Sequence, residues 1–96
     1  MKPASMRGVL LAGHKGAAIE VPFDPAERWR TPPVRLHTGR RGHRVSARLA
    51  DIEFETAIVP RAGRFFVLVD AQTCMAAGVV IGDEIDVTLQ PLAAQP

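Results

Sequence analysis

Apolar residues in this chain recur mostly at every second position, the spacing that turns one face of a strand to a core and the other to solvent. In residues 44–49, Val45, Ala47 and Leu49 alternate with Arg44, Ser46 and Arg48. In residues 84–89, Ile85, Val87 and Leu89 alternate with Glu84, Asp86 and Thr88. Ile52, Phe54 and Ile58 share one face against Glu53 and Glu55, so 52–59 reads as a strand joined to 44–49 by a tight Ala50-Asp51 turn. Such a hairpin brings Arg44 or Arg48 opposite Glu53 or Glu55, exposed pairs that fix register more than stability. Upstream, the apolar runs 7–12 and 17–21 flank Gly13-His14-Lys15-Gly16 and read as a second hairpin. The unbroken run Phe65–Val69 predicts a central strand, covered on both faces or closing a barrel.

The period changes twice. Asp24-Pro25-Ala26-Glu27 combines a capping acid, Pro at the first helical position and Glu three residues after the cap, and Pro32-Pro33 ends that helix within about two turns. Trp29 then anchors it against the core. Asp70 caps a second short helix that ends at Gly78. Val34–Thr38 reads as a short edge strand, Gly39–Gly42 and Pro60–Gly63 as turns, and Val79–Ile81 as a segment packing across the core before the Gly82-Asp83 turn. Residues 1–5 and 92–96 read as frayed ends. The expected fold is all-β: a small closed barrel of six or seven short strands with two helical turns, its core spanning about 7–90, since closure removes exposed sheet edges.

Ninety-six residues make one domain, spanning 1–96, with 47% hydrophobic and 23% charged residues as in ordinary globular chains. The single Cys excludes an intrachain disulfide framework and a cysteine-based zinc cluster. No apolar run reaches the length of a membrane span or a secretory signal, so a cytoplasmic protein is expected. Charge is unevenly placed. Residues 1–48 carry ten basic side chains against Glu20, Asp24 and Glu27, a net of +7. Residues 49–96 carry Arg61 and Arg64 against seven acids, a net of −5, and the two halves can neutralise each other across one barrel.

From Val45 to Leu89 the residues also resemble a known family. The features are the aromatic at Phe54 in a hairpin, the turn glycine Gly63, the apolar strand after it, Ala77-Gly78, and Gly82-Asp83-Glu84-Ile85-Asp86-Val87. Ile19-Glu20-Val21-Pro22 before a short helix fits the same order. This resembles the small bacterial and archaeal barrels of unknown function grouped with the double-split β-barrels of AbrB and MazE type. Members of that family stand alone or precede a domain related to the YdeI/OmpD-associated, bacteriocin-protection proteins. The resemblance implies a barrel fold and no catalytic residues. The chain departs from it at Ala50-Asp51, where the family usually has Asn-Gly, and at Cys74-Met75, where basic residues are common.

Candidate chemistry concentrates in Arg35, Arg40, Arg41, Arg44 and Arg48, a basic segment that also holds His37 and His43. Such a segment is either a solvated face or a set of phosphate contacts, and no aromatic interleaves with it in the sequence to stack bases. Gly39-Arg40-Arg41-Gly42 and Gly13-His14-Lys15-Gly16 have the letters of a phosphate-clamping GxxG loop, but strands rather than helices flank them. Neither fits a nucleotide-binding glycine motif, and no cofactor is expected. His14, His37 and His43 lack neighbouring ligands at metal spacing. Cys74 reads as a small buried hydrophobe, although its place early in a helix could lower its pKa. Glu53/Glu55 and Asp83/Glu84/Asp86 fall on solvated strand faces, unsuited to acid–base work. The leading reading is a non-catalytic binding or interaction module whose partner the sequence does not identify, a protein and a nucleic acid being the two candidates. The alternatives are a nucleic-acid-binding regulator using the five arginines, and a ligand pocket or enzyme site near Trp29, Phe54 and Phe66. A monomer is favoured, since the chain has strands enough to close its own barrel.

Overall fold

The computed structural model describes residues 3–13, 16–37 and 39–92. Seven strands and two helices follow in the order β1 (Ala4–Ala12), β2 (Gly16–Val21), α1 (Pro25–Trp29), β3 (Val34–Arg35), β4 (Arg41–Leu49), β5 (Ile52–Arg61), β6 (Arg64–Asp70), α2 (Ala71–Ala77) and β7 (Glu84–Pro91). The sheet order is β3-β4-β5-β6-β2-β1-β7, and β4 pairs again with β7. That last pairing closes a six-stranded barrel on itself and leaves β3 as an extra edge strand. All neighbours are antiparallel.

The alternation in the sequence is the inside and outside of this cylinder. Leu10, Ile19, Val45, Ala47, Leu49, Ile58, Val67 and Leu89 are each 1% exposed or less and fill the interior. Burial at about 25 cal/mol per Å² of apolar surface makes this filling the main source of stability. The barrel is split in two places. β1 pairs with β7 along Ala4–Val9 and with β2 along Leu10–Ala12. β5 pairs with β4 along Ile52–Ile58 and with β6 along Ile58–Arg61. Where β5 and β6 part, the Thr56 hydroxyl donates to the Leu68 carbonyl at 2.7 Å and replaces a lost ladder bond. Helix α2 packs against β5, β6 and β2, capped by Asp70, whose Oδ1 accepts from the Thr73 N–H at 2.6 Å.

β7 enters through a bulge. Gly82 donates to the Leu10 carbonyl, and Leu10 donates to the Asp83 carbonyl, both at 2.8 Å, so two residues face one. Gly82 has φ +98°, a conformation a side chain resists, which is why glycine stands there.

Several expectations need correcting. Of the two readings of Phe65–Val69, the barrel-closing one holds and the doubly covered one does not: Val67 and Val69 point in, while Leu68 is 41% exposed. Val80 and Ile81 do not pack across the core but lie exposed on the loop after α2, with Val79 alone partly buried. Ala4 and Ser5 are strand rather than frayed chain, and Ala4 is in the core. The edge strand is Val34–Arg35; Thr38, His14, Lys15 and residues 93–96 lie outside the described residues. Among the described residues no helix is long and apolar enough to cross a membrane.

Candidate binding groove on the outer face

The outward positions of four adjacent strands build one apolar strip. Leu11 on β1 stands opposite Ala18 on β2, and Ala18 opposite Leu68 on β6. Ala57 on β5 follows beside Leu68, one step from the Ile58–Val67 pair, and Arg44 on β4 stands opposite Ala57. Phe66, two residues before Leu68 on the same face, sits beside Val59. These residues floor an open groove of about 1370 Å³.

One wall is the β3–β4 connection, folded over β5. The Leu36 N–H donates to the Arg40 carbonyl at 2.7 Å, the Gly39 N–H donates to the Leu36 carbonyl at 2.8 Å, and Arg40 Nη2 donates to the Pro60 carbonyl at 3.2 Å. Leu36 is buried above Gly42 and Val59. A Cβ at position 42 would stand 2.5 Å from the Ile58 carbonyl oxygen and 3.0 Å from Leu36 Cδ1, so only glycine lets the wall close down. The end of β6 at Asp70, with Gly13 and Gly16 at the base of the β1–β2 hairpin, forms the opposite side.

Arginines rim this groove. Arg35, Arg40 and Arg44 line it from the expected basic segment, while Arg41 and Arg48 do not. Arg41 is exposed at the start of β4, and Arg48 points outward elsewhere, opposite Glu53 and Thr88. In their place the β5–β6 hairpin contributes Arg61 and Arg64. No local signal marked these two residues, which lie in the acidic half of the sequence; only the strand pairing brings them to Arg40 and Arg44. Glu55 and Asp70 are the acids in the lining. Arg44 pairs with Glu55 and Arg64 with Glu20, each at 3.4 Å and exposed, so these contacts are weak.

Trp29, Phe54 and Phe66, expected to line one pocket, do not all face one space. Trp29 is buried in the core, edge-on to Phe23 with ring centroids 5.4 Å apart, and Phe54 packs against the core from inside. Phe66 points outward and alone belongs to the groove. His37 lines the groove, whereas His43 is buried with Nε2 2.7 Å from the Thr31 carbonyl, so the two do not meet. Cys74 is half-buried against the core. Burial pushes its thiol pKa up and the Asp70 carboxylate adds to the rise, so any lowering from the helix is outweighed.

The groove's residues, Leu11 to Asp70, all fall inside one family match. Residues 8–89 match the model described as Domain of unknown function (DUF1905). The chain belongs to that family. No curated protein matches it. The DUF1905 match takes in the barrel from the middle of β1 to Leu89 in β7, and with it the floor, the folded-over wall and the arginine rim.

Proposed function

We propose that this DUF1905 domain is a non-catalytic binding module and that its partner, another protein, docks in the outer groove. The observation that carries the reading is the exposed apolar floor beside a cationic rim. Leu11 on β1 and Leu68 on β6 are each 41% exposed on either side of Ala18 on β2, next to Phe66 and five arginines. Contiguous exposed apolar surface rimmed by polar groups is the usual mark of an interaction site. Among the described residues the barrel interior is filled by aliphatic side chains. The groove is open and exceeds the roughly 300–1,000 Å³ typical of small-molecule pockets, which favours a segment of polymer over a small ligand.

Phe66 between Arg44 and Arg64 favours a second reading, nucleic-acid binding, as does the resemblance to AbrB-type barrels. An aromatic beside cations is the element missing from the basic segment as read in the sequence.

Photo-crosslinking in cells separates the two. A benzophenone amino acid at position 68 is expected to give a discrete, nuclease-resistant protein adduct. The same probe at position 53, farther along β5 and outside the groove lining, is expected to give none. A nuclease-sensitive adduct at 68 would support nucleic acid, and equal adducts at 68 and 53 would remove the groove from the account.

A further inference from the structure

The rim has a feature that stability alone does not explain. Arg61 and Arg64 are directly opposite each other across β5–β6, and Arg35 and Arg41 are directly opposite across β3–β4. Like charges so placed are unfavourable. The Arg40–Pro60 hydrogen bond ties the connection between Arg35 and Arg41 to the strand that ends at Arg61, so Arg35 and Arg40 gather with Arg61 and Arg64 at one end of the groove. Arg35, Arg40 and Arg61 make no ion pair with a carboxylate among the described residues. Five arginines stand in the lining against Glu55 and Asp70.

We infer that the segment docking in the groove is acidic as well as apolar: aliphatic side chains lie on Leu11, Ala18, Ala57 and Leu68, and carboxylates at one end meet Arg35, Arg40, Arg61 and Arg64. This rests on the groove reading above and adds the partner's chemistry to it. The floor crosses four strands, about 14 Å at roughly 4.8 Å per step, which is the span of about four extended residues. Arginine forks suit carboxylates geometrically, and desolvation by the apolar floor strengthens each contact. The alanines at 18 and 57 leave hollows between Leu11, Leu68 and Phe66 for the partner's own side chains. A polyphosphate fits less well. Glu55 and Asp70 line the same groove and Glu20 borders it, the floor is aliphatic except for Phe66, and stacking platforms for successive bases are absent among the described lining residues.

The test is selection from a displayed library of random dodecapeptides on the intact chain, followed by affinity measurements with the selected peptides after synthesis. Enriched peptides are expected to place Asp or Glu beside aliphatic residues. Arg61→Glu, Arg64→Glu and Leu68→Asp should each weaken binding roughly tenfold or more, the scale of a lost charge-assisted or buried contact. Glu53→Gln should leave affinity unchanged, and circular dichroism with thermal melting reports that every variant is folded. Peptides without acids that still lose binding with Leu68→Asp overturn the acidic partner and leave the groove reading intact. No enrichment, or binding indifferent to Leu68→Asp, overturns both. Oligothymidylate that displaces the selected peptides assigns the groove to nucleic acid and overturns the inference.

Discussion

Arg61 stands directly opposite Arg64 across the β5–β6 hairpin, joined only by the Ala62-Gly63 turn. Glu20 reaches Arg64 at 3.4 Å, and Arg61 has no carboxylate partner among the described residues. Arg61→Glu converts a repulsive cross-strand pair into an attractive one. The variant is expected to be more stable by about 0.2–1 kcal/mol at low salt, with the gain shrinking as salt screens it. Urea midpoints at two ionic strengths check this. A loss of stability at low salt would mean that Arg61 serves the fold rather than a partner.

The turns carry a removable strain. Ala62 has φ +53° before Gly63 at φ +77°, and Ala50 has φ +55° in the β4–β5 turn. Both lie in the left-handed region that L-residues with a Cβ avoid, and a two-residue hairpin with both φ values positive favours Asn-Gly. Ala62→Asn and Ala50→Gly are each expected to stabilise by about 0.5–1 kcal/mol. Thermal melts of the two single variants and the double, which should be close to additive, test it.

The groove wall depends on a glycine. Gly42→Ala would press a methyl group onto the Ile58 carbonyl oxygen and the Leu36 side chain. It is expected to destabilise by roughly 1–3 kcal/mol, as overpacking does, with faster amide exchange localised at Leu36–Arg44. Uniform exchange enhancement across the barrel would instead mean that the wall and the core open as one unit.

Cys74 gives a signature in alkaline solution. Its folded pKa is raised above the thiol's ordinary value, first by burial and then by Asp70, so the folded state holds the proton longer than the unfolded state. The stability this confers is fully present below the unfolded pKa and is lost as pH rises through the folded one. The chain has no tyrosine to titrate in that window. Urea midpoints should fall above about pH 9, and Cys74→Ala should flatten that decline. Thiol labelling at neutral pH should be slower than for an unstructured cysteine.

The barrel was legible because the alternation of Val45, Ala47 and Leu49, and of Ile85, Val87 and Leu89, is local information about which side faces the core. The capping acids Asp24 and Asp70 were legible for the same reason, since each contacts backbone two or three residues on. Phe65–Val69 left two readings open because an unbroken apolar run looks alike whether its second face is covered by protein or exposed on the outside of a barrel. The groove was hidden for a deeper reason. Arg40 and Arg44 meet Arg61 and Arg64 only after β4, β5 and β6 pair, and charge counted along the chain set those arginines in halves of opposite sign. Arg48 shares the outer face of Arg44 but stands four residues farther along β4, beyond the groove, and Arg41 is out of step with Arg44 by an odd number of residues.

Methyl NMR of the intact chain titrated with a selected acidic peptide tests most directly whether recognition occurs on the outside of a filled barrel. The account expects shifts at Leu11, Ala18, Ala57 and Leu68, with the interior methyls of Leu10, Val45 and Leu89 and the remote exposed Met75, Val80 and Ile81 unmoved. Shifts concentrated in the interior methyls, or at Met75, Val80 and Ile81 with Leu68 silent, would contradict it.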